Sequence, residues 1–477
     1  MMPRGSLWHL LALPGALVLA GCTVGPDYSP PVIEVGETWI GAVDPGAVDL
    51  AWWRAFNDPM LSELVDRAVA GNKDLDEAEA RVREARALRD AVRGRTLPQA
   101  DAVGAATQNR LSENGLLPVG KVPGLGRDLS IFDAGFDASW EIDLWGGARR
   151  AVESAEARAQ AAEEARRGAV LQVLAEVVRT YIDLRAAQAL AANAGATAAA
   201  QARIASLVAD RLQAGLASRA DLTRAEALAH ATAASISQFR AEADAAAFRI
   251  ALLIGEPPDA YYDRLRTPRS LPSARREVRT GLRSDLLRRR PDIRRAEREL
   301  AAATADVGIA TAQLFPRFSL LGGIGLQARE AGDLFSGDSL RFQFGPALRW
   351  PLFSGGRIRA GIRAADARAD AALARYDRAV LAALADSEAA INRFAAMGEV
   401  RTERDTASTL AAEATGLAER RYRAGEEDLI ALLHARLAQH GADRALIEAQ
   451  SAELRQLAAL YKALGGGWQA AAVPADR

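Results

Sequence analysis

Ile131-Phe132-Asp133-Ala134-Gly135-Phe136-Asp137-Ala138-Ser139-Trp140-Glu141-Ile142-Asp143-Leu144 alternates without a break. Phe132, Ala134, Phe136, Ala138, Trp140, Ile142 and Leu144 share one parity, and the acidic, Gly and Ser positions share the other. A period of two is the pattern of a strand with one apolar and one polar face. Residues 340–352 repeat it, with Leu340, Phe342, Phe344, Leu348, Trp350 and Leu352 against Arg341, Gln343, Gly345 and Arg349. Residues 317–328 set Phe318, Leu320, Ile324 and Leu326 against Ser319, Gly323, Gly325 and Gln327, and a weaker run lies near 99–110. A soluble sheet packed on one face would alternate in the same way. These runs are longer than usual, however: about 13 residues cover ~45 Å at ~3.4 Å per residue, a length that suits a tilted membrane crossing. Trp145, Phe315 and Phe353 near the strand ends fit an interfacial girdle. Four strands cannot close a barrel and open edges are not tolerated in lipid, so several chains must share one barrel.

Directly after the strand at 130–144, Gly146-Gly147 opens a stretch from Ala148 to Gln213 that contains no Pro. As a helix it would be ~100 Å long at 1.5 Å per residue. Arg357 to Arg423 is its counterpart. Val170, Leu174, Val177, Tyr181 and Leu184 recur at heptad spacing, as do Val380, Leu384, Ser387, Ile391 and Phe394. A second stripe at Leu171, Val178 and Ile182 predicts that two faces are buried, as in a curved wall. A plain antiparallel coiled-coil hairpin is the alternative, and the attached strands argue against it.

The two stretches belong to a duplication. Asp74-Leu75 with Ala78-Glu79 recurs 218 positions on as Asp292-Ile293 with Ala296-Glu297. Arg211-Leu212-Gln213-Ala214-Gly215 recurs 210 positions on as Arg421-Tyr422-Arg423-Ala424-Gly425, and Ile254-Gly255 as Leu464-Gly465. The drop in offset falls at Leu111–Arg127, a Gly/Pro-rich insertion in the first copy. Each copy predicts a helix of about 22 residues (Leu75–Thr96; Ile293–Leu314), two strands, a long helix, an Ala-Gly reversal and a returning helix. The expected divisions are a signal peptide at 1–21, an N-terminal segment at 22–57, copies at 58–265 and 266–464, and a tail at 465–477.

Arg4 precedes an apolar run from Leu7 to Ala20, too short for a permanent span and suited to a signal peptide. The run ends Leu19-Ala20-Gly21-Cys22, similar to a bacterial lipobox, and predicts a lipid on Cys22, the only cysteine in the chain. An ordinary signal with an incidental cysteine is the alternative. Half of the residues are apolar but aromatics are 6 %, so alanine carries much of the apolar content and favours closely approaching helices. The net charge of −1 gives no field for nucleic acid. With four His and no cysteine after Cys22, catalytic and metal chemistry have little to work with. No cofactor is expected beyond the covalent lipid. Gly322-Gly323-Ile324-Gly325 lacks the spacing and following helix of a phosphate loop.

Several motifs resemble the TolC-type outer-membrane efflux factors, in particular their OprM-like (NodT-type) lipoprotein branch. They are Cys22-Thr23-Val24-Gly25-Pro26-Asp27-Tyr28, Trp52-Trp53-Arg54-Ala55-Phe56-Asn57-Asp58-Pro59, and Leu286-Leu287-Arg288-Arg289-Arg290-Pro291-Asp292-Ile293 with Phe315-Pro316. The resemblance runs from the lipobox to about Leu464. It implies an α+β chain that supplies four strands to an all-antiparallel, twelve-stranded transmembrane barrel made by a homotrimer. A long periplasmic helical barrel with a small equatorial region continues it. It implies a passive export duct in the outer membrane, not an enzyme, working with a periplasmic adaptor and an inner-membrane pump, most often of the RND type. A periplasmic adaptor would carry a lipobox and one hairpin, but not this duplication. The arginine run before Asp292 is expected to be a solvated or inter-subunit ionic patch.

By the same resemblance, Ala214-Gly215-Leu216 and Ala424-Gly425-Glu426 are the tips that meet the adaptor. Asp221 and Tyr422 fall where the family places an inter-helix hydrogen bond that restrains the closed end. Glu427 replaces the expected basic partner, and the usual carboxylate-ring positions fall on Ala431 and His434. Glu426, Glu427 and Asp428 are either substitute tip acids or a solvated helix start. His434 is the gate's titratable group near neutral pH and is expected to face the lumen.

Overall fold

A computed structural model describes residues 23–36, 38–41, 44, 46–112, 126–274 and 277–471. Cys22 and residues 113–125 of the insertion lie outside the described residues. The chain forms helices α1 (Pro59–Gly71), α2 (Lys73–Gly94), α3 (Gly147–Gln213), α4 (Arg219–Leu253), α5 (Pro258–Arg266), α6 (Leu286–Arg289), α7 (Pro291–Ala312), α8 (Arg357–Ala424) and α9 (Leu429–Ala463). Its strands are β1 (Gln99–Arg110), β2 (Asp128–Ile142), β3 (Arg317–Ala328) and β4 (Leu340–Arg349). No helix among the described residues is long and apolar enough to cross a membrane. Two compact units result, one from Met1–Pro31, Arg83–Ala161 and Ala296–Tyr376, the other from Val32–Val82, Ala162–Arg295 and Asp377–Arg477. Both draw on both halves of the chain. The helices pair in length: α2 and α7 have 22 residues each, α3 and α8 have 67 and 68, and α4 and α9 have 35 each.

In the first unit the strands form one antiparallel sheet in the order β1-β2-β3-β4, so β1 and β4 each leave an edge free within the chain. The pairs Ala102↔Phe136, Phe136↔Ile324 and Ile324↔Phe342 keep even-numbered residues on one face of all four strands. β2 starts two residues before the expected 130–144, where Asp128 pairs with Arg110 of β1, and ends two residues early, where Leu144 N–H turns back to the Ile142 carbonyl. β4 stops at Arg349, short of the expected 352: Pro351 has no N–H to extend a ladder. α2 and α7 also begin two residues early and end two early. The Asn72 side chain accepts from Asp74 and Leu75 N–H, and Pro291 takes the first position of α7 with Asp292 behind it. Both helices then tighten into i→i+3 turns at Thr96-Leu97 and Leu314-Phe315 before the strands begin.

The segment after Thr23 is strapped to this unit. Val24 N–H donates to the Trp145 carbonyl, and the almost fully buried Arg150 pairs with Asp27 and Glu153. Gly25, at φ +90°, crosses Gly308 of α7 so closely that a Cβ would stand 2.5 Å from the Gly308 Cα.

The second unit holds the main apolar core. Val170, Leu174, Val177, Tyr181 and Leu184 are buried, and so are Leu171, Val178 and Ile182, so α3 buries both expected stripes. Trp52, Trp53 and Phe56 join them from a 3-10 turn, with Trp52 stacked on Tyr461 at 5.3 Å. The tail is also part of this core. Trp52 Nε1 donates to the Gly466 carbonyl, Trp468 Nε1 donates to the Arg289 carbonyl, and the Arg167 guanidinium covers the Trp468 ring at 4.7 Å. The arginine run is not a solvated patch. Arg290 donates to the Ala463 carbonyl at the end of α9 and pairs with Asp292, and Arg289 is half-buried and donates to the Thr280 carbonyl. Cationic groups at a helix C-terminus satisfy its free carbonyls, which explains this burial. Only Arg288 fits the solvated expectation.

Candidate functional site

The sheet is two-faced across β2, β3 and β4. On the even face Phe136, Ile324, Phe342, Phe344 and Leu348 are exposed, Phe342 by 78 % and Phe344 by 75 %. On the odd face Asp133 accepts two hydrogen bonds from Arg341, at 3.0 and 2.6 Å, and one from Gln327 at 2.8 Å, a polar cluster spanning β2, β3 and β4. A large exposed apolar face backed by a satisfied polar face suits lipid on one side and water on the other. Tryptophans mark the helix-side end of the sheet. Trp140, Trp145 and Trp350 donate their indole N–H to the carbonyls of Thr96, Pro316 and Leu314, and Trp145 stacks on Phe315 at 4.6 Å. Rings with one apolar body and one polar handle are at home at a lipid–water boundary.

The two helix reversals share one geometry. Leu216 N–H donates to the Arg211 carbonyl and Gly215 N–H to the Leu212 carbonyl. Glu426 N–H donates to Arg421 and Gly425 N–H to Tyr422 in the same way. This is the paired closure of a helix whose following residue is left-handed, and Gly215 and Gly425 supply φ values of +76° and +78°. The returning helices are capped differently. Ser218 and Asp221 form a reciprocal capping box on α4, whereas Asp428 alone caps α9 by accepting from Ala431 N–H at 2.8 Å. Ala214, Gly215, Leu216, Ala424, Gly425 and Glu426 are all exposed, as tip residues must be to meet a partner.

The gate candidates are not brought together in the expected pairing. Asp221 Oδ2 accepts from Ser218 Oγ at 2.6 Å, and its other oxygen pairs with Arg224 at 3.3 Å; these bonds hold its carboxyl below the usual range. Tyr422 is buried among Ile204, Val208, Leu222, Leu432 and Leu433, beneath the Arg211 guanidinium at 4.3 Å. Among the described residues no hydrogen bond joins it to Asp221. Glu427 pairs with Arg421 at 3.2 Å, Asp428 is committed to its cap, and His434 is exposed on α9. Tyr422 therefore ties the hairpins through apolar packing and a cation–π contact. Two further groups were not singled out from sequence. His440 has a buried Nδ1 without a partner among the described residues, and burial followed by the charge of Arg444 lowers its pKa. Glu63 accepts from Arg264 and Tyr261, which hold its carboxyl down at about 2.

The family model described as outer membrane efflux protein matches residues 64–256 and 282–466. The chain belongs to the outer membrane efflux protein family. Within it the chain falls in the OprM-like, NodT-type branch. It is 32 % identical over 474 residues to the pyoverdine export outer membrane protein OpmQ of Pseudomonas aeruginosa, covering 97 % of this chain and 98 % of that protein. It is 30 % identical to nodulation protein T of Rhizobium leguminosarum bv. trifolii, covering 95 % and 96 %. Among solved structures it is similar to the outer-membrane channel OprN, with a TM-score of 0.86, 38 % identity, and coverage of 94 % of this chain and all of that one. VceC of Vibrio cholerae gives a TM-score of 0.80 at 26 % identity, with 88 % of this chain covered. The protein is thus an outer-membrane efflux channel subunit, TolC-like in fold, from a family of channels and not of enzymes.

Proposed function

We propose that three copies of this chain form one passive duct, carrying small molecules from an inner-membrane pump and a periplasmic adaptor across the outer membrane. The two-faced sheet with two free edges carries the proposal. Its apolar face needs lipid, and its edges need partners that only other chains can supply. Four strands from each of three copies give twelve, and β4 beside the next copy's β1 continues the antiparallel order. Equal helix lengths in the two halves support an internal repeat, so that the trimer presents six similar hairpins. Cys22 carries the lipid, and the strap that follows it in sequence is fastened at Val24 to the Trp145 carbonyl. The exposed tips at Ala214–Leu216 and Ala424–Glu426 meet the adaptor, and the pump is of the RND type. Energy and cargo choice lie with the pump, in keeping with relatives named for pyoverdine export and for toluene efflux.

Outer membranes extracted in mild detergent should release the protein as a trimer by native mass spectrometry. Cys22→Ala should lose fatty-acid incorporation and keep the trimer, since the barrel itself anchors. A monomer in the extract would overturn the duct. Asp221, Tyr422, Glu427, Asp428 and His434 belong to the tip end that restrains opening, with His434 facing the lumen. His434→Ala should alter single-channel conductance; unchanged traces would remove it from the lumen.

A further inference from the structure

Two apolar surfaces of the helical unit are uncovered and complementary. A groove of about 530 Å³ runs between α3 and α4, floored by Ala202, Ala205 and Ala209 of α3 and Ala229 and Ala233 of α4, with Glu226 and His230 of α4 on its wall. On α8, Leu410 and Leu417 are 59 % and 47 % exposed. They lie seven residues apart, so they form one ridge. That ridge stands roughly 120–160° round the helix from the buried Thr415 and Tyr422, which face the chain's own interior.

Both hairpins close on the same glycine geometry, so counting back from each glycine gives a common height. Leu410 and Leu417 lie 15 and 8 residues before Gly425, and Ala202 and Ala209 lie 13 and 6 before Gly215. Ridge and groove therefore occupy the same band and have the same length, ~10 Å at 1.5 Å per residue. One pair of opposite charges fits the same register, on the α3 side of the groove and away from Glu226 of α4. Glu413, between the two leucines, and Arg203, flanking the groove, each stand 12 residues before their glycine. Both are exposed, and among the described residues neither has an ion-pair partner.

We propose that Leu410 and Leu417 of one chain fill the alanine groove of the next copy, with Glu413 of the first paired to Arg203 of the second. The proposal rests on the trimeric duct and names its helical seam. A chain with one ridge and one different groove associates head to tail, and such a contact closes into a ring when its rotation closes. The sheet makes the same demand, with one free edge on β1 and another on β4. Leucine ridges against an alanine floor fill space without overpacking.

Two cysteine pairs test this in the full-length, lipidated protein: Ala202→Cys with Leu410→Cys, and Ser206→Cys with Leu417→Cys. Oxidation in isolated outer membranes should give covalent dimers and trimers that reductant dissolves, absent from each single variant. Glu413→Arg should lower the temperature at which the trimer dissociates in detergent, and adding Arg203→Glu should restore it. No covalent oligomer from either pair, with native trimers retained, would overturn the seam and leave the duct standing. Adducts of the single Ala202→Cys variant with another protein, in place of oligomers, would give the groove to a different occupant and likewise overturn the seam. Monomers throughout would overturn both.

Discussion

His440 and Glu63 show how single groups tie stability to pH in opposite ways. The buried Nδ1 of His440 disfavours the charged imidazole, so its pKa is lower in the folded chain than in the unfolded one. Its contribution to stability is complete above the ordinary histidine value and is lost as the pH falls through it. His440→Gln removes the titrating group. The parent should therefore lose more thermal stability than His440→Gln between pH 8 and pH 5.5, measured by circular dichroism on the detergent-solubilised protein. Equal losses would refute the burial effect. Glu63, held down at about 2, is stabilising above the ordinary carboxylate value of 4.5 and loses that contribution only as the pH falls between the two. Neither group was legible in the sequence. Glu63 and Arg264 are 201 positions apart and only the fold joins them. His440 sits in a helical stretch as unremarkable as that of His434. The reverse holds for Asp221: its alignment with a family position suggested a long-range hydrogen bond, but Ser218, three residues before it, offered a better local one.

At the level of elements, the Ala-Gly reversals were readable because a left-handed residue after a long helix calls for glycine. The asymmetry of the caps beyond them was readable only in part. Ser218 and Asp221 satisfy each other's backbone N–H groups, and Asp428 does half of that work alone. Ser218→Ala should cost about 1 kcal/mol of local helix stability and raise amide exchange over residues 219–223. Asp428→Ala should raise exchange over 429–432 by a similar factor. A rise of equal size along the whole of α4 or α9 would mean that the caps do not act locally. Strand and helix ends drifted from expectation by two or three residues for physical reasons that alternation does not encode. A terminal turn can tighten to i→i+3, as at Thr96-Leu97, and Pro351 ends β4 while the apolar alternation runs on through Leu352.

Across the whole molecule, the terminal segments were the least legible part of the chain. Trp52 lies in a stretch marked only by resemblance, and Trp468 in what reads as a tail, yet both are fastened by their indole N–H groups into the core of the helical unit. Their partners, Gly466 and the Arg289 carbonyl, are backbone groups, which leave no trace in side-chain patterns. The sheet was the opposite case, because a period of two declares both faces at once. That gives a direct test of the membrane assignment. Phe344 and Gln343 are neighbours on β4 at the same height but on opposite faces, opposite Gly322 and Gly323 of β3. If the even face meets lipid, Phe344→Arg places a charge in hydrocarbon at a cost of roughly 2–4 kcal/mol near the midplane. Gln343→Arg adds the same charge to the watered face, where Arg341 already stands paired with Asp133. Phe344→Arg should fall sharply in outer-membrane fractions while Gln343→Arg stays near parental levels, scored by immunoblot of sucrose-gradient membranes. Equal loss would mean that the sheet merely tolerates no new charge at this height. Equal retention would mean that the exposed aromatic face is not in lipid. Only a split between the two neighbours assigns one face to the bilayer and the other to the water inside the duct.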